Sequence, residues 1–260
     1  MTSSNGWIRH RLLLAGVLIH LFVHPSCYAD NLRIGVAANF RSTLEQIITG
    51  FEREHHIRVD VSTASTGALF AQVKSGAPFD IIFAADRLRP ALLESQGYTR
   101  LRRTYAYGQL VFWTPGQPAD ERALKQYKGT LAIANPRHAP YGKAALDTLK
   151  LMQVKPDRLV YGTNIAQAFN FVRTGNARAG LVALSQVRYL NLPASEFWLI
   201  PPESHEPIEQ QLIVLEGAST KAELFVAYTF DPGTTRLIEQ SGYLTAKTIS
   251  LAPLETGADG

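Results

Sequence analysis

Between residues 31 and 240, short runs rich in Val, Ile and Ala alternate with segments whose apolar residues recur every three to four positions. This alternation constrains the fold more than any other feature. A parallel strand covered on both faces reads as an unbroken apolar run, and the return to its parallel neighbour needs a crossover, usually a helix. The chain therefore reads as α/β. Strands are expected at 32–38, 57–63 and 80–84, with helices at 41–54, 67–74 and 88–94; in the first helix Leu44, Ile47, Ile48 and Phe51 keep helical spacing. After an apolar strand at 109–113 the pattern restarts, with helices at 122–127, 142–152 and 166–174 and strands at 130–134, 159–161 and 179–183. A further apolar strand at 211–215 precedes helices at 220–230 and 234–240. Two apolar strands thus bracket a middle block. This predicts two lobes, one built from 30–112 with 211–250, the other from 113–210, followed by a frayed tail at 251–260. No internal repeat of fixed period is visible.

Residues 1–29 read as a secretory signal that ends before Asp30. Arg9 and Arg11 precede the apolar stretch LLLAGVLIHLFV, and Cys27-Tyr28-Ala29 offers a cleavage site. The apolar stretch is too short for a membrane span, which needs about 20 apolar residues, and it breaks at His24-Pro25. Lipid attachment at Cys27 is disfavoured by His24 and Pro25 before it. The formal net charge of +4 includes Arg9 and Arg11, so the processed chain stands near +2 and holds no cysteine. Cysteine catalysis and Cys-type zinc are thereby excluded. The local cluster Arg100, Arg102 and Arg103 reads as a solvated loop or helix end and not as a nucleic-acid stripe. The expected state is a periplasmic monomer with no nucleic-acid partner.

Four strand-to-helix turns carry small or polar residues: Ala38-Asn39, Ser65-Thr66-Gly67, Pro140-Tyr141-Gly142 and Asn164-Ile165. The first N–H groups of a helix lack internal acceptors and lie at the positive end of its dipole, so such turns are natural anion sites. Taken singly, Asn39, Thr66 and Asn164 are equally good helix caps. Only convergence on one cleft makes them a site. Catalytic readings are weaker: HExxH and GxSxG are absent. His55-His56 reads as a solvated loop and not a metal pair, and Asp80 and Asp86 as turn and cap residues. Tyr105, Tyr107, Phe112 and Trp113 read as core and hinge packing, not as a platform for sugars.

The segments VAANF (36–40), STGAL (65–69), SGAPFDIIFAAD (75–86), ANPRHAPYGKAAL (134–146), NIAQAFNFVRTGNARAGLVALSQ (164–186) and SGY (241–243) occur in this order along nearly the whole processed chain. In these segments the chain resembles the periplasmic molybdate-binding proteins of ABC importers. The resemblance implies a type II periplasmic-binding fold of two lobes that closes on molybdate or tungstate and delivers it to a membrane permease. No enzyme activity and no cofactor are implied. The implied oxygen contacts are Asn39 with Ala38 in the first turn, Thr66 in the second, and the backbone N–H groups of Tyr141 and Ile165; none of them ligates the metal atom itself. Two positions depart from the commoner pattern: Asn39 stands where many members carry serine, its amide NH2 still able to donate, and Ala183 stands where many carry a tyrosine hydroxyl. The rival readings are a protein for another oxyanion such as sulfate, and an effector-sensing module of a regulator, which the signal segment and the lack of a helix-turn-helix disfavour. A deaminase-like enzyme on this fold would need a cofactor-bearing cysteine.

Overall fold

The computed structural model describes residues 31–246 and Thr248. The expected signal at 1–29 and tail at 251–260 lie outside the described residues. In chain order the elements are β1 (Leu32–Ala37), α1 (Arg41–His55), β2 (Val59–Ala64), α2 (Thr66–Lys74), β3 (Ile81–Ala84), α3 (Leu88–Ser95) and β4 (Thr99–Gly108). They continue with β5 (Leu110–Trp113), α4 (Glu121–Lys125), β6 (Thr130–Ala134), α5 (Pro140–Leu151), β7 (Arg158–Gly162), α6 (Ile165–Arg173), β8 (Ala179–Ala183) and α7 (Leu184–Tyr189). The last are β9 (Phe197–Leu199), β10 (Ile208–Leu215), α8 (Lys221–Thr229) and α9 (Pro232–Gln240).

The strands form two five-stranded sheets, in the orders β2-β1-β3-β10-β4 and β7-β6-β8-β5-β9. In each, three strands run parallel, a fourth (β10 or β5) runs against them, and the edge strand beyond it (β4 or β9) pairs antiparallel with that fourth strand. The two orders superpose strand for strand. This repeat leaves no fixed period in the sequence because the second lobe is inserted into the first: β10 returns to sheet 1 from the far end of the chain.

The lobes join at two crossings. The first falls between Gly108, which ends β4 in sheet 1, and Leu110, which begins β5 in sheet 2. The second spans 200–207, between β9 and β10. The expected boundaries at 112/113 and 210/211 are thus corrected to about 109 and 207, because β5 lies wholly in sheet 2 and β10 wholly in sheet 1. Lobe 1 packs Phe40 against Phe83 and Tyr105, with ring centroids 5.3 and 4.8 Å away, and Phe51 against Phe225 at 4.8 Å. Lobe 2 stacks Trp113 on Phe169 at 4.6 Å.

The sequence reading missed β4 and β9. Strand β4 is an edge strand, and edges are blunted by charge, so its arginines masked it as a loop. Arg102 pairs with Glu94 at 2.8 Å, Arg100 with Glu223 at 3.4 Å, and the Arg103 guanidinium lies 3.7 Å from the centre of the Phe230 ring. The arginine cluster is therefore spent on neighbouring elements. His56 ends α1 in a left-handed conformation (φ 55°), and His55 packs on Phe51.

Candidate functional site

The six parallel strands end in Ala37, Ala64, Ala84, Ala134, Gly162 and Ala183. Residues this small let the turns beyond them approach closely. Those turns meet between the lobes around a small cavity lined by Ala37, Ala38, Asn39, Ser65, Thr66 and Ala85 from lobe 1 and by Ala139, Pro140, Tyr141, Asn164 and Ile165 from lobe 2. All five expected site residues, Ala38, Asn39, Thr66, Tyr141 and Ile165, are brought together here. Among the described residues no Lys, Arg, His, Asp or Glu lines the cavity.

Hydrogen bonding separates the lining groups that are spent from those that are free. The N–H groups of Asn39, Thr66, Tyr141 and Ile165 meet no acceptor among the described residues. The Ala38 N–H, by contrast, donates to Ala64 O at 3.0 Å, so Ala38 supplies wall and no donor. Thr66 Oγ1 accepts from the Ala85 N–H at 2.9 Å, which leaves its hydroxyl proton for another acceptor. Thr66 is not the cap of α2. That role belongs to Ser65, whose Oγ accepts from Ala68 N at 3.3 Å. Asn164 does cap α6, through Gln167 N at 3.0 Å. Pro140 opens α5 with no N–H to satisfy, so Tyr141 carries the first free donor of that helix.

The Asn39 amide differs from its expected role as a donor to the ligand. Asn39 Nδ2 donates to Gln210 Oε1 at 3.0 Å and to the Tyr243 hydroxyl at 3.1 Å. Both amide protons are thus committed to the hinge, and the free donor of Asn39 is its backbone N–H. Around it the Tyr105 hydroxyl donates to Gln210 Oε1 at 3.3 Å, while the Tyr243 and Ser185 hydroxyls donate to Asn39 O at 2.7 and 3.0 Å. Burial, the largest cause in each case, pushes the Tyr105, Tyr141 and Tyr243 phenols up from their ordinary value. They stay neutral near pH 7 and place no negative charge beside the cavity.

In lobe 2, Ala183 is fully buried behind the cavity lining and its N–H donates to Gln186 Oε1 at 3.1 Å, so this position supplies no donor to the cavity. Gln186 Nε2 in turn donates to Ile165 O at 3.3 Å, which ties the start of α6 to the end of β8. The lobes also touch directly: Gly67 N donates to His138 O at 2.9 Å and Arg89 Nη2 to Arg137 O at 3.1 Å. The lobes are therefore in contact beside the cavity. Sequence reasoning missed Ser185, Gln186 and Gln210 as supports. Only the SGY segment pointed to Tyr243, and nothing local distinguishes Gln210 from its neighbour Gln211. Of the two aspartates, Asp86 caps α3 through Arg89 N at 2.9 Å, and buried Asp80 accepts from Arg33 N at 2.8 Å and Ser219 N at 3.1 Å.

A small cavity between two lobes, lined by uncharged residues of which Asn39, Thr66, Tyr141 and Ile165 keep an unbonded backbone N–H, suits a small anion bound without counter-charge. Residues 32–244 match the family described as bacterial extracellular solute-binding protein. The chain is 39% identical over 227 residues to the molybdate-binding protein ModA of Azotobacter vinelandii, covering 83% of this chain and 90% of that one. It is 35% identical over 229 residues to ModA of Rhodobacter capsulatus, covering 84% and 89%. Among solved structures, the periplasmic molybdate-binding protein of Azotobacter vinelandii aligns with a TM-score of 0.75 at 31% identity, over 82% of this chain and 99% of the other.

Proposed function

Because the chain belongs to the bacterial extracellular solute-binding proteins, we propose that it captures molybdate between its lobes and hands it to the permease of an ABC importer. It is a binding protein and not an enzyme. Tungstate, of the same charge and shape, is a second ligand in this reading, and the place of action is the periplasm, reached through the signal at 1–29. Similarity to the ModA proteins supports the ligand class. The observation that carries the reading is that four residues with an unbonded backbone N–H, Asn39, Thr66, Tyr141 and Ile165, line one cavity without a charged wall.

Such a cage holds a dianion without a cation. A hydrogen bond to a charged group contributes about 1.5 to 3 kcal/mol, so the four N–H groups and the Thr66 hydroxyl supply roughly 8 to 15 kcal/mol. Association costs at least about 4 kcal/mol, which leaves micromolar or tighter binding within reach, since about 8 kcal/mol corresponds to that affinity. Backbone N–H groups also cannot accept a hydrogen bond, which favours a fully deprotonated oxyanion over one that must donate a hydrogen bond itself.

Titration calorimetry of residues 30–260 with molybdate, tungstate, sulfate and phosphate tests the reading. Molybdate and tungstate are expected to bind at least a hundredfold more tightly than sulfate. Sulfate binding of equal strength would transfer the protein to another oxyanion, and no heat with any of the four would remove the oxyanion reading.

A further inference from the structure

Gly108 ends β4 at the first crossing between the lobes, and the Tyr141 ring, from α5 of lobe 2, lies against it. A Cβ on Gly108 would come closer to the Tyr141 hydroxyl oxygen than van der Waals contact allows and stand 2.9 Å from Tyr141 Cζ and 2.7 Å from Gln210 Nε2. Gly108 does not have a positive φ, so glycine is required there for space and not for backbone conformation. Gln210 Nε2 is buried without a hydrogen-bond partner among the described residues, and the buried Tyr141 hydroxyl has the Asn39 amide beside it but makes no hydrogen bond of good geometry. An unpartnered buried polar group destabilises a fold, where an apolar one of the same shape does not. A phenol kept in such a place is explained by where it holds its own backbone.

We propose that the Tyr141 ring, seated on Gly108 beside Gln210, is the gauge of lobe closure and so the positioning residue for the lobe 2 grip on the anion. This rests on the oxyanion reading of the cavity. The backbone N–H of Tyr141 faces the cavity while its side chain reaches the crossing strands, so one residue spans both the ligand cage and the hinge. Seating the ring sets how far α5 advances. That advance brings the Tyr141 N–H, and with it the α5 dipole, to the ligand. In the same closed state Gly67 N meets His138 O just before α5, so the seat and the rim of the cleft close together.

The test is a double-mutant cycle with Gly108→Ala and Tyr141→Val, read by calorimetry with molybdate, by the rate of molybdate release in stopped flow, and by the melting temperature without ligand. Gly108→Ala should weaken binding at least tenfold, mostly through faster release, while the ligand-free melting temperature falls only by the cost of shifting Gln210 Nε2 within the same sheet, equally with Tyr141 and with Tyr141→Val. In the Tyr141→Val background the same Gly108→Ala change should cost less than twofold, since the ring it would strike is gone. Wild-type affinity in Gly108→Ala, an equal loss of affinity in both backgrounds, or a fall in ligand-free stability as large as the loss of affinity would each overturn the gauge. Failure of the oxyanion reading is seen separately, as absence of molybdate binding by the wild-type chain.

Discussion

Gly67, in the first turn of α2, donates its N–H across the cleft to the carbonyl oxygen of His138 at 2.9 Å, and a Cβ on Gly67 would stand 3.0 Å from both the Cα and that oxygen. These are backbone atoms and cannot swing aside, so a methyl group here must push the lobes apart by a few tenths of an ångström. Within a helix, alanine is favoured over glycine by about 1 kcal/mol. Gly67→Ala should therefore leave the ligand-free melting temperature unchanged or raised while weakening molybdate binding several-fold. Unchanged affinity by calorimetry would show that the Gly67–His138 contact is not part of the closed, ligand-holding state.

Thr66→Ala removes a hydroxyl with two tasks. Loss of its proton as a donor to a buried oxyanion should weaken binding by about 1.5 to 3 kcal/mol, tenfold or more. Loss of Oγ1 also leaves the buried Ala85 N–H without its acceptor, at roughly 1 to 3 kcal/mol of stability. Thr66→Ser keeps the hydroxyl and should recover most of both. Urea unfolding beside calorimetry checks the pair; a variant that loses affinity at full stability would mean that the hydroxyl faces the cavity alone.

Asn39→Ala keeps the backbone N–H and loses the amide that anchors it to Gln210 and Tyr243. A moderate loss of affinity, about tenfold, is expected, because the donor survives while its support is gone. Asn39→Asp should be far worse. It sets a buried carboxylate against Gln210 Oε1 and adds negative charge beside a dianion, so binding should fall beyond a hundredfold at pH 7. Should Asn39→Asp bind molybdate more tightly than Asn39→Ala, the hinge-directed orientation of this side chain would be wrong.

The three buried phenols set the response to alkali. Burial raises Tyr105, Tyr141 and Tyr243 in the folded state, whereas in the unfolded chain a tyrosine ionises near pH 10. Below pH 10 both states keep the protons and these residues add no pH dependence. Above it only the unfolded state releases them, so stability falls with rising pH, by up to about 1.4 kcal/mol per pH unit for each phenol. Unfolding followed from pH 8 to 12 should be flat at first and then decline, and Tyr105→Phe should make the decline shallower. An unchanged slope in that variant would show that Tyr105 titrates normally in the folded protein.

The α/β class, most of the elements and the four strand-to-helix turns that line the cavity were legible in the sequence because each is a local property. Periodicity reports which face of a segment is buried, and a small or polar residue after an apolar run reports a helix start. Strand β4 was illegible for the same reason: Arg100, Arg102 and Arg103 advertise solvent, and only their partners Glu94, Glu223 and Phe230 show that they cover an edge. Tertiary structure alone decided which donors are free. Ala38 and Asn39 are neighbours in one turn, yet the Ala38 N–H is taken by Ala64 O and the Asn39 amide by Gln210, 171 residues away. A hydrogen-bond donor is available to a ligand only if no acceptor reaches it in the folded chain, and that depends on segments that meet after folding.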